Sequence, residues 1–361
     1  SSSDSRDLGE TGKTYKFSTN SLSFYPSESI TVKYDLKAYF PNDVKVEFIS
    51  SNDKIVEVDE KGTITAKAEG SATISVRVLM DGKATYYSQT IVITVKDPYS
   101  TNGSYLMGYY GDGETIDGVE HVVNIRADLG LEEIYSYAFS GYEFVPKDEN
   151  DEISKEDPYK SKQVPIGENT IKKVIIPEGV KVIGSYAFAN LTALEEVVLP
   201  STLNQIQSNA FSGCTKLKKI NLENVQFINM NAFRNCPIEV VSLDSVVAIG
   251  NNAFSFDRSV KDADGNTVTS VLQALVLPTT AQSIGAAAFF NNVALTSVYF
   301  RAYSVKLGEE VFAYCEKLVK VTNLNTSVIP ASAFAGCKSL TTLNLGADVQ
   351  LIGRYAFMDT G

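Results

Sequence analysis

Nine times along the chain an aliphatic residue is followed, five positions later, by phenylalanine. The pairs are Ile134/Phe139, Ile183/Phe188, Ile206/Phe211, Ile228/Phe233, Ile249/Phe254, Ile284/Phe289, Leu307/Phe312, Ile329/Phe334 and Ile352/Phe357. Eight of these phenylalanines follow alanine and the ninth follows Val311. Most successive phenylalanines lie 21 to 23 residues apart, with longer gaps of 49 and 35. A fixed period near 22 predicts a solenoid, in which each short unit buries its apolar face against its neighbours. Within one unit, Leu194, Val197 and Leu199 are spaced as a strand segment that Pro200 ends. Leu203 and Ile206 then return inward, and Asn209-Ala210-Phe211 closes the coil, the small alanine leaving room for the ring. Glycine follows the aliphatic residue at Gly184, Gly250, Gly285, Gly308 and Gly353, where a positive φ or a crowded bend is expected.

Residues 14–97 follow a different pattern. Runs at Ser29–Tyr34, Val44–Ser50, Ile55–Val58, Thr63–Ala66, Ala72–Leu79 and Tyr86–Val95 alternate with Pro-, Asn-, Asp- and Gly-bearing turns. Alternation in Ala72-Thr-Ile-Ser-Val-Arg-Val78 puts one face inward and one toward water. Short strands at this spacing predict an antiparallel β-sandwich. The fold class expected for the whole chain is therefore mainly β. A sandwich precedes a leucine-rich-repeat solenoid with a parallel sheet on its concave face and short helical or irregular turns outside.

Two resemblances sharpen this reading. Phe48-Ile-Ser-Ser-Asn-Asp-Lys-Ile-Val-Glu-Val-Asp59, with Gly62-Thr-Ile-Thr-Ala66 and Gly70-Ser-Ala-Thr-Ile74, resembles a group 2 bacterial immunoglobulin-like domain. That family carries tryptophan before its Ser-Ser-Asn; Phe48 keeps an aromatic residue there, and the chain has no tryptophan. The recurring units of residues 125–361 resemble the BspA-type leucine-rich repeat, L-x-x-V-x-L-P followed by I-G-x-x-A-F-x-x-C. The resemblances imply a bacterial protein at the cell surface, with spacer and adhesion modules and no catalytic residues to carry over.

The domains expected are a flexible tether at 1–13, an immunoglobulin-like domain at 14–97, a linker and solenoid cap at 98–124, and repeats at 125–361. Insertions interrupt the repeats at about 142–170 and 257–272. Four tyrosines (Tyr99, Tyr105, Tyr109 and Tyr110) lie in the cap, either packing it or forming a sugar-stacking platform. The chain opens on Ser1 rather than Met, which fits a processed export signal or an arbitrary boundary equally, and any anchor is expected through the missing N-terminus. No polar, differently patterned segment follows Phe357, and a continuing chain or a very short tail is expected.

Charge and chemistry then exclude classes. With 32 basic and 43 acidic residues, net −11, and no basic stripe, nucleic acid is not an expected partner. No apolar run reaches the roughly 20 residues of a membrane helix. A single histidine, His121, removes serine-triad, Cys–His and multi-histidine zinc arrangements. Acidic runs at Asp148–Glu152 and Asp262–Asn266 lack a full calcium loop, and the second reads as an Asp-Gly hairpin turn. No cofactor and no metal are expected. Cys214, Cys236, Cys315 and Cys337 occupy one equivalent slot, shared with Leu191 and Asn292, whose parallel side chains suit buried free thiols better than disulfides.

Strand register assigns the exposed positions of one face. They are Lys173/Ile175, Glu196/Val198, Lys219/Asn221, Val240/Ser242, Ala274/Val276, Ser297/Tyr299, Lys320/Thr322 and Thr342/Asn344. Only Glu196 among them is a carboxylate, so no acid/base pair converges and no enzyme is expected. Val198, Val240, Ala274, Val276 and Tyr299 form a strip with little charge flanked by Lys173, Lys219 and Lys320. All of these but Ala274, with Glu196, Asn221, Ser242 and Thr322, make up the candidate binding surface. The partner expected is an extracellular or host protein. The alternatives are a surface glycan, for which Tyr299, Tyr303 and Tyr314 would matter, or service as the non-catalytic arm of a larger surface enzyme.

Overall fold

The computed structural model describes residues 21–26, 29–31, 45–80, 83–86, 90–140, 142–146, 161–165 and 169–361. Two compact units are present, residues 1–100 with 109–112, and residues 101–108 with 113–361.

In the first unit, Lys45–Ser50 and Gly70–Met80 pair antiparallel, and Gly70–Met80 also pairs with Ile91–Val95 and Lys83–Tyr86. A second sheet is built from Ser29–Thr31, Thr63–Ala66 and Val56–Val58. Alternate residues Ala72, Ile74 and Val76, with Ile91, Ile93 and Val95, fill the core between them, the two-residue period expected of a half-buried sheet. The Phe48 ring packs against this core and over Gly62, whose φ of +85° and lack of Cβ admit it. The sequence shows no separate signal for Ser21–Phe24, which adds parallel to Ile91–Val95. The run expected at Tyr86–Val95 is divided between the strands Lys83–Tyr86 and Ile91–Val95. Tyr34 and Val44 lie outside the described residues.

The second unit is the solenoid. Its nine phenylalanines form one stack with neighbouring ring centroids 4.8–5.6 Å apart and interplanar angles of 15° or less. Eight of them are buried, from Phe139 to Phe334, and Phe357 is partly buried. The aliphatic partners form two-residue strands such as Val182–Ile183, Gln205–Ile206 and Phe227–Ile228. Seven of them, from Ile134 to Leu307, join a nine-stranded sheet that starts at Tyr99–Asn102 and ends at Lys306–Leu307, while Val328–Ile329 pairs with Leu351–Ile352 in a separate one.

The longer strands depart from the expectation of one unbroken parallel sheet. Val119–Asn124, Lys173–Ile175, Glu196–Val198 and Lys219–Ile220 belong to one sheet. Ala274–Leu277, Ser297–Phe300, Lys320–Leu324 and Thr342–Leu345 form another. The coil between them, residues 238–243, contributes no strand. Its entry is one residue shorter: Ile238 follows Cys236 by two positions and bonds its carbonyl at 2.9 Å, whereas Leu217 follows Cys214 by three. Pro237 also removes a donor there.

Glycine after the aliphatic residue answers to crowding rather than to positive φ. A Cβ on Gly250 would lie 2.5 Å from the Met230 amide nitrogen, and one on Gly184 2.7 Å from that of Ser136. The left-handed residue comes two positions later, and in all nine coils: Tyr137, Tyr186, Asn209, Asn231, Asn252, Ala287, Glu310, Ser332 and Tyr355 have φ between +53° and +64°. This conformation aims the residue's N–H at the next coil, as in Asn209 to the Met230 carbonyl and Asn231 to the Asn251 carbonyl, both 2.9 Å. The Phe N–H does the same, Phe211 to Ala232 and Phe233 to Ala253 at 2.8 Å. The turns are thus laddered as thoroughly as the strands, which offsets the local strain.

The cysteine slot has its own logic. Cys214, Cys236, Cys315 and Cys337 are free and buried, and each thiol donates to the Phe carbonyl of the preceding coil at 3.0–3.4 Å. Asn292, in the same slot, donates to the Phe254 carbonyl at 2.9 Å. Burial, and secondarily the neighbouring Cys214, pushes the Cys236 thiol well above its usual range.

The first insertion carries an antiparallel pair, Tyr142–Pro146 with Ser161–Pro165. The acidic residues Asp148–Glu152, Glu156 and Asp157 lie outside the described residues. The second is a turn in which the Asp262 carboxylate accepts the Asp264 and Asn266 amides at 2.9 Å, while Lys261 and Thr267 form an antiparallel bridge. That carboxylate is used by its own loop. Among the described residues no helix is long and apolar enough to cross a membrane.

Candidate functional site on the strand face

Parallel pairing without slippage puts equivalent side chains of successive coils in rows. Lys173, Glu196 and Lys219 are register partners, as are Ile175 and Val198. In the second sheet Val276, Tyr299 and Thr322 share a row, beside Ala274, Ser297 and Lys320. The alternate residues Val174, Val197, Ile220, Leu275, Val298 and Val321 are buried, so the rows above them face away from the core. All eleven residues of the expected binding surface are exposed or half-buried.

A cleft of about 470 Å³ gathers five of them: Glu196, Val198, Lys219, Asn221 and Val240. Val240, in the coil that leaves the sheet, is 76% exposed. Asn221 has a positioning role in addition. Its side chain accepts the Leu199 N–H at 2.7 Å and donates to the Leu199 carbonyl at 2.9 Å, taking the place of a paired strand residue where Lys219–Ile220 ends. Ser242 is half-buried further along the same irregular coil. Val276 and Tyr299 are 43% and 40% exposed, and the Arg301 guanidinium lies 5.8 Å from the Tyr299 ring centre.

A second cleft of about 790 Å³ shares Lys173, Glu196 and Lys219 with this surface and reaches Asp262 and Thr267–Thr269 of the second insertion. It is lined by a row that strand reasoning left out, Lys172, Glu195, Lys218 and Glu239. Backbone bonds join its members in sequence, Glu195 to Lys172 at 2.8 Å, then Lys218 to Glu195 and Glu239 to Lys218 at 3.0 Å. Charge alternates along the row, and opposite charges on adjacent strands favour one another. The signal was present in the sequence as a sign change once per repeat, one position before the residues chosen. Lys216 pairs with Asp264 at 3.0 Å, and that contact raises its pKa. Thr215 is only 8% exposed, and its hydroxyl has no hydrogen-bond partner.

Lys173 lies 3.3 Å from Glu196, so the strand face's carboxylate has an ammonium partner rather than a second acid. Among the described residues no cluster of three His, Cys, Asp or Glu side chains is placed to hold a metal ion. The arrangement can bind: it offers apolar side chains, donors and acceptors on a frame fixed by backbone hydrogen bonds.

Two family models match this chain. Residues 167–261 and 267–361 match the BspA type Leucine rich repeat region (6 copies), and residues 14–86 match the Bacterial Ig-like domain (group 2). A search of curated proteins finds no match. Among solved structures, the chain is similar to a leucine-rich repeat protein from Bacteroides ovatus. Identity is 22%, over 73% of this chain and 79% of that one, with a TM-score of 0.27. It is also similar to a leucine rich cell surface protein from Faecalibacterium prausnitzii, at 21% identity, 72% and 86% coverage and a TM-score of 0.27. A T. pallidum leucine rich repeat protein gives 21%, 69% and 77%, and 0.34. The repeat match spans more than half of the 361 residues and takes in eight of the nine stacked phenylalanines, and the chain belongs to the BspA-type leucine-rich repeat family.

Proposed function

We propose that the protein is an exported, non-catalytic adhesion module that docks an extracellular protein partner on the strand face between Lys173 and Thr322. The observation that carries this reading is the row Val276–Tyr299–Thr322, in register with its first two members exposed and Thr322 half-buried, together with Val240 at 76% exposure lining the smaller cleft. Exposed aliphatic and aromatic side chains in a setting of complementary charge are what protein interfaces use at their centre. The lysine and glutamate rows would form the rim, where charges set orientation more than affinity. Residues 1–13 would serve as tether, the immunoglobulin-like domain as spacer, and residues 98–124 as the solenoid cap.

The test is a surface-plasmon-resonance survey of the purified chain against an array of purified extracellular matrix and plasma proteins. A partner retained by the native protein, and lost by Val240→Asp and by Tyr299→Ala while both variants keep the native melting temperature, supports the reading. Retention unaffected by both substitutions would place the partner elsewhere and refute it.

A further inference from the structure

One row of the strand face is charged in four successive coils. Lys172, Glu195, Lys218 and Glu239, joined through their backbones, all have exposed side chains. The backbone ladder goes on without charge: Thr296 bonds Gln273 at 2.8 Å, Val319 bonds Thr296 at 2.9 Å and Thr341 bonds Val319 at 3.0 Å. The stack therefore holds whether or not this position is charged, and the four charges are available for another contact.

Three of the coils repeat their charge in the next row, as Lys173, Glu196 and Lys219. Lys173 and Glu196 pair at 3.3 Å. Among the described residues, Lys172, Glu195, Lys218, Lys219 and Glu239 have no opposite charge within ion-pair distance. Neighbouring opposite charges favour one another across strands, but exposed pairs of this kind contribute little to stability.

The order of signs decides what the array can meet. Along the stack it reads plus, minus, plus, minus, and reversal exchanges every sign. A twofold axis along the strand direction, midway between the Glu195 and Lys218 coils, reverses the stack and keeps each row opposite itself. Lys172 then faces the partner's Glu239, Glu195 the partner's Lys218, and Glu196 the partner's Lys219. A run of three or five alternating charges would set like against like, so the fit depends on the even number found here. His121 and Gln273, in the equivalent position of the flanking coils, face each other. Val240, 76% exposed, meets the apolar stem of the partner's Lys173. A twofold interface requires a surface that is its own complement. We infer that the charged coils of the strand face pair, antiparallel and face to face, with a second copy of this chain. The net charge of −11 opposes this only at long range, because exposed charges are screened beyond about 8 Å at physiological ionic strength. The seven charged side chains of the two rows are themselves nearly balanced, four positive and three negative. The pairing uses coils that serve the protein-docking face only as rim.

The test is sedimentation velocity on the full chain alone, at physiological ionic strength, over a rising concentration series. A concentration-dependent shift from monomer to dimer is expected, and added salt should weaken it. Glu195→Lys sets ammonium against ammonium at both symmetry-related contacts and should weaken the dimer at least roughly 10-fold. Lys218→Glu should do the same with carboxylates. An equimolar mixture of the two variants should recover the dimer, because each introduced charge meets its opposite across the axis, a rescue that a misfolded variant could not show. Should either variant lose the native melting temperature, Lys172→Glu with Glu239→Lys makes the equivalent pair. The inference is overturned by a chain that stays monomeric throughout the series, by a dimer that the single substitutions leave intact, or by a mixture that remains monomeric.

Discussion

Truncating Phe233 to alanine tests the reading that the repeat is held by its aromatic column. The ring is fully buried, with Phe211 at 5.2 Å on one side and Phe254 at 5.3 Å on the other. Its backbone is fixed independently, the N–H to the Ala253 carbonyl at 2.8 Å and the carbonyl from the Cys236 amide at 3.1 Å. The substitution therefore removes a side chain without freeing the turn, and the neighbouring rings, each bonded into its own coil, have little room to close the gap. Removing a buried phenylalanine in such a setting costs about 3–5 kcal/mol, including about 0.5–1.5 kcal/mol for each lost ring pair. Urea denaturation followed by circular dichroism should show a lower midpoint. Because a solenoid's stability is a sum over coils and their interfaces, hydrogen exchange should lose protection around residues 205–254 first. Amides of residues 45–80 in the other unit provide an internal control. A loss below 1 kcal/mol, or uniform loss across both units, would refute the argument.

Gly250→Ala should destabilise by about 1–3 kcal/mol, because the added Cβ would meet the Met230 and Asn229 backbone and overpacking is not relieved by backbone movement; thermal melting checks it. The four thiols should resist alkylation in the native protein and all react after denaturation without reductant. Cys236 and Cys315 are both raised above the usual 9.0, first by burial and then by the adjacent thiol. The stability they contribute is complete below that value and falls as pH rises from there toward the folded value, so a denaturation midpoint that increases between neutral and strongly alkaline pH would contradict the assignment. In the last coil Leu351, Ile352 and Tyr355 are 63%, 57% and 58% exposed, and residues 342–361 of this chain should exchange amide protons faster than residues 205–254. Equal protection in a monomeric sample would show that these exposures misrepresent its stability.

The period of the phenylalanines was enough to read the solenoid, because one ring per coil has to stack on the next and no other geometry repeats every 22 residues so simply. Strand rows followed for the same reason: in a parallel stack without slippage, Lys173, Glu196 and Lys219 have no alternative to alignment. The left-handed residues were not legible. Asn209, Asn231 and Asn252 fit that conformation on intrinsic preference, but Tyr186, Ala287 and Glu310 do not, and they adopt it because the inter-coil ladder demands an N–H there. The break in the long sheet was equally hidden. It depends on one residue missing between Cys236 and Ile238, a change smaller than the variation that the repeat tolerates elsewhere.

Translation along a stack makes every coil resemble its neighbours, and a surface generated by translation alone offers the same contacts many times over. A unique site needs a departure from the repeat. Here three departures lie close together in the chain: the shortened turn at Pro237, the segment 238–243 that forms no strand and the insertion at 257–272 all fall between Phe233 and Phe289. Val240 is left exposed on the strand side by the first two, while Asp257 and Arg258 are carried to the turn side by the third. The buried column runs through this region without interruption, Phe233 to Phe254 at 5.3 Å and Phe254 to Phe289 at 5.2 Å. The core thus tolerates irregularity because each coil's stability depends on its ring and its ladders. The strand and turn faces are free to differ at the positions where recognition would need them to.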